Sequence, residues 1–189
     1  MDETEKEHLS ISQEGIGQME KFVKELLDFT RVSELNLDRF SIEQILDESI
    51  KTLADTLELK KVVLEKSYEE GLPQVLVDAD KLKQVFLNIL RNAYEAVEEK
   101  GKINIFLSLL KEQEGSKIRV FISDDGSGIP EENRETVFEP FYTTKASGIG
   151  LGLPIARKII EQHRGTIRVK ENAAQGTSFE ILIPTEEER

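Results

Sequence analysis

The sequence contains no cysteine, which excludes disulfide staples, thiolate nucleophiles and thiolate metal sites and fits a reducing compartment. No apolar run approaches the roughly 20 residues that span a bilayer. The start, MDETEKEH, is acidic where a signal peptide would be basic. A soluble, cytoplasmic chain without membrane contact is expected. Positive charge is in the minority: 25 Lys and Arg stand against 37 Asp and Glu, a formal net charge of -12. Nonspecific attraction to nucleic acid or anionic lipid is therefore not expected, and an anionic ligand must be held by local geometry. There is no Gly-Lys-Ser/Thr phosphate-loop sequence and no glycine turn of Rossmann spacing, which disfavours two common nucleotide folds. What is present suits one ordinary globular domain with a helical appendage: 189 residues, 38% hydrophobic and 33% charged.

From Leu9 to about Thr30 the residues Leu9, Ile16, Met19, Val23 and Leu26 follow steps of three and four, with Ser12 at the missed step. Phe22, Leu27 and Phe29 broaden this stripe, so a long amphipathic helix is expected, docked on the next domain or on a partner. Ser41 with Gln44 three residues on is a capping-box pattern ahead of Ile45, Leu46, Ile50 and Leu53, predicting a helix to about Leu57. Val62 to Glu65 and Val75 to Val77 read as short strands. Asp78 is a candidate N-cap for a helix whose apolar face runs from Leu82 through Val97 and ends near Gly101. Ile103 to Leu109 and Ile118 to Ser123 read as strands joined by a polar turn. A glycine-rich loop over 125–152 contains a short helix at Glu131 to Thr136. A helix opened by Pro154 stops before Gly165, and strands at Thr166 to Lys170 and Ser178 to Ile183 follow. This mixed order, with hairpin-like neighbours, argues for an α+β two-layer sandwich.

Asn88 and Asn92 stand four apart on one helix face, with Gln84 a turn earlier. Their amide oxygens are hard donors suited to a magnesium ion that carries phosphate oxygens and waters, or they satisfy nearby loop backbone. Asp124, at a strand end, leads into Asp125, Gly126, Ser127, Gly128, Ile129 and Pro130. Its carboxylate there either caps an Asx-type turn or accepts from the exocyclic amine of adenine, which would favour ATP over GTP because guanine offers a carbonyl instead. Gly148, Gly150 and Gly152 run straight into the Pro154 helix and expose backbone amides and a helix N-terminus, either to an anion such as a triphosphate or as a loop without ligand. Upstream, Phe138, Phe141 and Tyr142 precede Thr143, Thr144 and Lys145, a lid-like stretch of aromatic anchors and one cation. Gly176 and Thr177 bring a hydroxyl toward the base or form a hairpin turn.

Each motif is ambiguous alone, but their order is specific. N-x-x-x-N, D-D-G-S-G-I-P, V-F-E-P-F-Y-T-T-K, G-I-G-L-G-L and a final G-T, spread over residues 78–183, resemble the N, G1, F, G2 and G3 boxes of sensor histidine kinases. The stretch Phe138 to Lys145 is most similar to the nitrogen-regulation branch. The resemblance implies the Bergerat, or GHKL, ATP-binding fold, a mixed sheet covered on one face by helices. It implies that Asp124 holds adenine, with Thr177 supporting it through water, and that Asn88 and Asn92 organise magnesium and phosphates. By position, Gly126, Gly128, Phe138, Tyr142, Lys145, Gly148, Gly150, Leu151, Gly152 and Leu153 join the ATP-binding set. E-L-L-D-F-T-R at Glu25 to Arg31 looks like the second helix of the family's dimerisation and phosphoacceptor hairpin, giving a partial hairpin over 1–36 and a catalytic domain over 37–189. The implied partners are ATP and ADP, a phosphoacceptor histidine helix and a response regulator receiver domain, with the full-length kinase a homodimer.

Three departures qualify the resemblance. No H-E-x-x-x-P sequence is present: His8 precedes Leu9 and Ser10, and His163 falls where relatives often end a helix with His-Gly-Gly. His8 is expected to be exposed and His163 to be a helix-end residue stabilised by the helix dipole. The chain is therefore expected to be the C-terminal part of a longer kinase, without its acceptor histidine. Glu95 stands where many relatives carry a phosphate-contacting lysine, so Lys145, with Arg157 or Lys158, is expected to supply the cation. Lys145 and Asn88 are the expected catalytic pair. Arg164 replaces a glycine. Among rivals, a hydrolase like gyrase needs a glutamate where this chain has Asn88, and an amide cannot take a proton. An anti-sigma-type serine kinase lacks the hairpin helix, and an interaction module without phosphotransfer would not need the site residues.

Overall fold

Local sequence chemistry places the three fully described helices. The Ser41 hydroxyl accepts the Gln44 N–H at 3.4 Å and opens α1 (Ile42–Leu59), which buries Ile42, Ile45, Leu46, Leu53 and Leu57. The Asp78 carboxylate accepts the Lys81 N–H at 3.1 Å and opens α2 (Ala79–Ala96), with Leu82, Val85, Phe86, Ile89, Leu90 and Ala93 buried. Pro154 sits in the first turn of α3 (Gly152–Gln162), where a missing N–H costs nothing. The structure, a computed structural model, describes residues 13, 15–17, 19, 22–23, 26–27, 30, 34–112, 115–145, 148–170 and 175–185.

Alternation of period two produces the sheet. Its strands are β2 (Val63–Tyr68), β4 (Lys102–Glu112), β5 (Gly115–Asp124), β6 (Thr166–Lys170) and β7 (Ser178–Pro184), in the order β2-β4-β5-β7-β6. β2 runs parallel to β4, and the remaining pairs are antiparallel. The sheet is thus mixed. Ile103, Ile105, Leu107, Ile118, Val120, Ile122, Ile181 and Ile183 point inward and are buried, whereas Phe106 on the other face is 47% exposed. The helices cover the inward face, giving the expected α+β two-layer sandwich.

Four local expectations differ from what is found. A strand absent from the sequence reading, β1 (Asp38–Phe40), pairs antiparallel with β3 (Val75–Val77); its three residues carry no periodicity, and the buried Val75 and Val77 create it. β2 extends to Tyr68, because its parallel register with β4 continues through Ser67 opposite Phe106 and Tyr68 opposite Leu107. α2 ends at Ala96 and not near Gly101. Lys60 from the end of α1 donates to the carbonyls of Tyr94 and Val97, both at 3.0 Å, while Val97 turns extended into the core. A cation on those last carbonyls stabilises the stop. The short helix expected at Glu131 to Thr136 is two 3-10 turns, Glu131–Asn133 and Thr136–Phe138.

His163 is at the C-terminal cap of α3, but not in the role expected of it. It is buried, its Nδ1 donates to the Ile159 carbonyl at 2.8 Å, and its Nε2 accepts the Asp78 N–H at 2.9 Å. Those partners select the neutral tautomer, and burial pushes its pKa down. Hydrogen bonding, not charge against the dipole, holds it. Asp78 in turn accepts the Asn36 N–H at 3.0 Å, so one residue joins the α2 cap, the end of α3 and the incoming chain.

Arg164 follows with φ of 56°, a left-handed conformation that favours glycine. Arg164→Gly is expected to stabilise the domain by about 1 kcal/mol, raising the midpoint of thermal unfolding by about 2–4 °C. An unchanged midpoint would show that the arginine is not strained there.

Each described residue between Gln13 and Thr30 is helical, and Ile16, Met19 and Val23 are 58%, 70% and 52% exposed. These three residues of the apolar stripe face outward. His8, Leu9, Glu25, Asp28, Phe29 and Arg31 lie outside the described residues.

Candidate functional site

The C-terminal half of α2, the start of α3 and the loops after β5 and before β7 enclose one pocket. Asn88, Arg91, Asn92 and Glu95 line it from a single face of α2, since i, i+3, i+4 and i+7 coincide on a helix. Asn88 Nδ2 donates to the Gly152 carbonyl at 2.9 Å, which ties α2 to the start of α3 and leaves Oδ1 as the ligand atom of that amide. Asn92 Oδ1 accepts the Lys145 ammonium at 2.9 Å, so this oxygen is oriented toward a cation. Two hard amide oxygens beside the start of α3 fit a magnesium ion that brings phosphate oxygens and water, with the Lys145 ammonium displaced from Asn92 Oδ1. α3 begins at Gly152 with no side-chain cap, so its first N–H groups are left for a ligand at the pocket wall.

Asp124 closes the opposite end. It is 3% exposed, and its Oδ1 accepts the N–H groups of Gly126 at 2.9 Å and Thr177 at 3.2 Å. Thr177 returns its carbonyl to the Asp124 N–H at 2.9 Å. Burial raises the carboxyl pKa above its ordinary value, partly opposed by those two amide hydrogen bonds. The loop after β5 and the turn before β7 are in backbone contact here. A Cβ on Gly176, whose φ is 98°, would lie 2.0 Å from the Asp124 carbonyl oxygen. Only glycine fits that crossing.

Of the residues in the expected ATP-binding set, Asn88, Asn92, Asp124, Gly128, Tyr142, Lys145, Gly148, Gly150, Gly152, Leu153 and Thr177 line this pocket. Three do not. Gly126 lies behind Asp124 as a hydrogen-bond donor to it. Phe138 is buried and packs edge-on against Phe179, with centroids 6.4 Å apart, so Phe179 forms the wall and Phe138 its backing. Leu151 is fully buried in the core beneath the glycine loop. Both apolar side chains turned inward because burial stabilises them more than an open polar cleft does. Arg157 is also placed away from the pocket: its guanidinium meets Glu135 at 3.1 Å and Glu161 at 3.5 Å and lies 4.8 Å from the Phe138 ring centroid. Lys158 is not on the pocket wall either. Sequence reasoning missed Arg91, Ile129, Val137, Ile149 and Phe179 as wall residues. The helical repeat from Asn88 was a sufficient signal for Arg91 alone.

Among the described residues no helix is long and apolar enough to cross a membrane.

Residues 77–187 match the family described as histidine kinase-, DNA gyrase B-, and HSP90-like ATPase. The sensor histidine kinase ZraS of Escherichia coli K12 is 30% identical over 166 residues, covering 88% of this chain and 35% of the relative. The chain thus spans about a third of the length of the curated relatives it matches. A structure of the catalytic domain of histidine kinase ThkA superimposes with a TM-score of 0.72 at 33% identity, covering 80% of this chain and 97% of that one. ThkA in complex with the response regulator protein TrrA gives a TM-score of 0.81 at 30% identity, covering 98% of this chain and 53% of that one. With its layers, its pocket and the order of its motifs in agreement with these, the chain belongs to the histidine kinase-, DNA gyrase B-, and HSP90-like ATPase family, within which its relatives are sensor histidine kinases.

Proposed function

We propose that this chain binds Mg-ATP in the pocket between α2 and α3 and presents the γ-phosphate to a histidine on a phosphoacceptor helix, as the ATP-binding part of a sensor histidine kinase. The observation that carries the reading is the polarity of the pocket. A buried carboxylate, Asp124, stands at one end as an acceptor for the adenine amine, and an amide pair with an uncapped helix start stands at the other. Asp124 takes the base, with Thr177 and Gly126 holding its carboxylate in place. The Gly148, Gly150 and Gly152 backbone and the first N–H groups of α3 take phosphate oxygens. Asn88 and Asn92 would hold magnesium, which when bound would neutralise charge on those oxygens, and Lys145 would add a positive charge from the opposite wall. Catalysis would then be positioning and charge neutralisation in an in-line transfer, with Asn88 and Lys145 as its catalytic groups. No glutamate occupies the position of Asn88 to activate water, so little hydrolysis is expected.

The accepting histidine helix, the receiver domain that takes the phosphoryl group onward, a homodimeric full-length kinase and a cytoplasmic location complete the proposal. The outward apolar stripe of Ile16, Met19 and Val23 supports a division into a partial hairpin, 1–36, and a catalytic domain, 37–189. Calorimetric titration with ADP and with a nonhydrolysable ATP analogue, with and without magnesium, tests the reading. Micromolar, magnesium-dependent binding is expected; absence of binding at millimolar nucleotide would reject it in favour of an interaction module.

A further inference from the structure

Lys145 bridges the two walls of the pocket. Its N–H donates to Thr143 Oγ1 and its carbonyl accepts the Gly148 N–H, both at 3.1 Å, so its backbone is anchored in the loop before α3. Its ammonium crosses to α2, where it donates to Asn92 Oδ1 at 2.9 Å and pairs with the Glu95 carboxylate. Glu95 has Arg91 one turn before it on the same face, at a spacing suited to an ion pair within the helix. It pairs across the cleft instead, with the residue from the opposite wall.

That choice puts a negative charge where a polyphosphate would reach for Lys145. The Lys145 and Glu95 side chains are 41% and 49% exposed, and an ion pair so open to water is weak and easily exchanged. We propose that Glu95 is a positioning residue that holds the Lys145 ammonium on Asn92 and competes with the nucleotide phosphates for it, so that phosphate binds by taking Lys145 over from Glu95. The inference rests on the nucleotide reading above and names what sets affinity at that site. Exchange breaks the Lys145–Glu95 pair, and a triphosphate, reaching the Lys145 ammonium more fully than a diphosphate, meets more of that cost. Glu95 therefore weakens ATP binding more than ADP binding, and salt reduces the difference by screening.

The test is a double-mutant cycle on the whole chain, titrated calorimetrically with ADP and a nonhydrolysable ATP analogue at low and high salt. Glu95→Gln is expected to tighten binding of the ATP analogue about three- to fivefold, with a smaller gain for ADP and a smaller gain in high salt. In a Lys145→Gln background the same substitution should change affinity less than about twofold, because the competition has been removed. Equal gains in both backgrounds would overturn the proposal, leaving simple repulsion. No gain would also overturn it, as would a loss of magnesium-dependent binding in Glu95→Gln, which would make Glu95 a metal ligand. Thermal unfolding of each variant separates these outcomes from misfolding. A native chain that binds no nucleotide defeats the parent reading and the inference together, whereas normal native binding with unaltered Glu95→Gln defeats the inference alone.

Discussion

Asp124→Asn is expected to abolish measurable adenine-nucleotide binding while leaving the free protein as stable as before, or more so. The argument for lost binding is one of donors and acceptors. Asparagine keeps one oxygen to accept the Gly126 and Thr177 N–H groups, so these two hydrogen bonds of the loop after β5 are retained. Its other terminal atom becomes an NH2 donor and would face the adenine amine, also a donor, leaving both unpaired in a site that is 3% exposed. A binding site built around one such hydrogen bond loses at least about 100-fold in affinity when it is reversed.

The argument for retained stability is linkage. Burial holds the Asp124 carboxyl above the ordinary carboxylate range. Between its unfolded value, about 3.9, and that raised value, the folded chain keeps a proton that the unfolded chain has lost. Stability therefore falls as pH rises through this window, and above it the full cost of the buried charge is present. Asparagine carries no charge and removes that cost. Thermal unfolding at pH 7 and calorimetric titration together check the pair of expectations. Loss of binding accompanied by a clear loss of stability would assign Asp124 to the fold and not to the ligand.

The second large effect separates two glycines that look alike in the sequence. Gly176→Ala is expected to destabilise by about 3 kcal/mol or more, enough to unfold much of a marginally stable domain. Two costs add: φ of 98° is strained for any side chain, and the new methyl would lie 2.0 Å from the backbone oxygen of Asp124, which cannot move without breaking the junction of two loops. Gly152→Ala should behave oppositely. It is helical, and the nearest atoms to its added methyl are those of the Asn88 amide at 3.7 Å or more, an ordinary contact. The variant should fold at wild-type temperature. Its methyl would nevertheless stand at the start of α3, where the proposed phosphates would approach the backbone, and nucleotide affinity should fall at least about tenfold. Thermal unfolding and titration of both variants test the contrast. A cold-unfolding Gly152→Ala, or a native-like Gly176→Ala, would contradict it.

Most of the elements and the residue types of the pocket are legible along the chain. The Ser41 and Asp78 caps and the Pro154 start are local, because each is set by interactions within a few residues, and they are found where they were read, whereas the length of β2 and the end of α2 were set by distant partners. The two amides of α2, the acid after β5 and the glycines before α3 were legible for a similar reason. Each is an unusual residue choice for its local element, and their order carries the resemblance. Tertiary structure alone decided what each side chain meets. Lys145 meets Glu95 across 50 residues, His163 gives its Nε2 to the Asp78 N–H across 85, and Gly176 is pressed against the Asp124 backbone by the crossing of two loops. Phe138, Leu151 and Arg157 left the site for the same reason that Phe179 entered it: the path of the chain selects which partner lies within reach. A charge or an aromatic ring has no preference for a particular distant partner until the fold brings one beside it, and such pairings leave no local pattern to read.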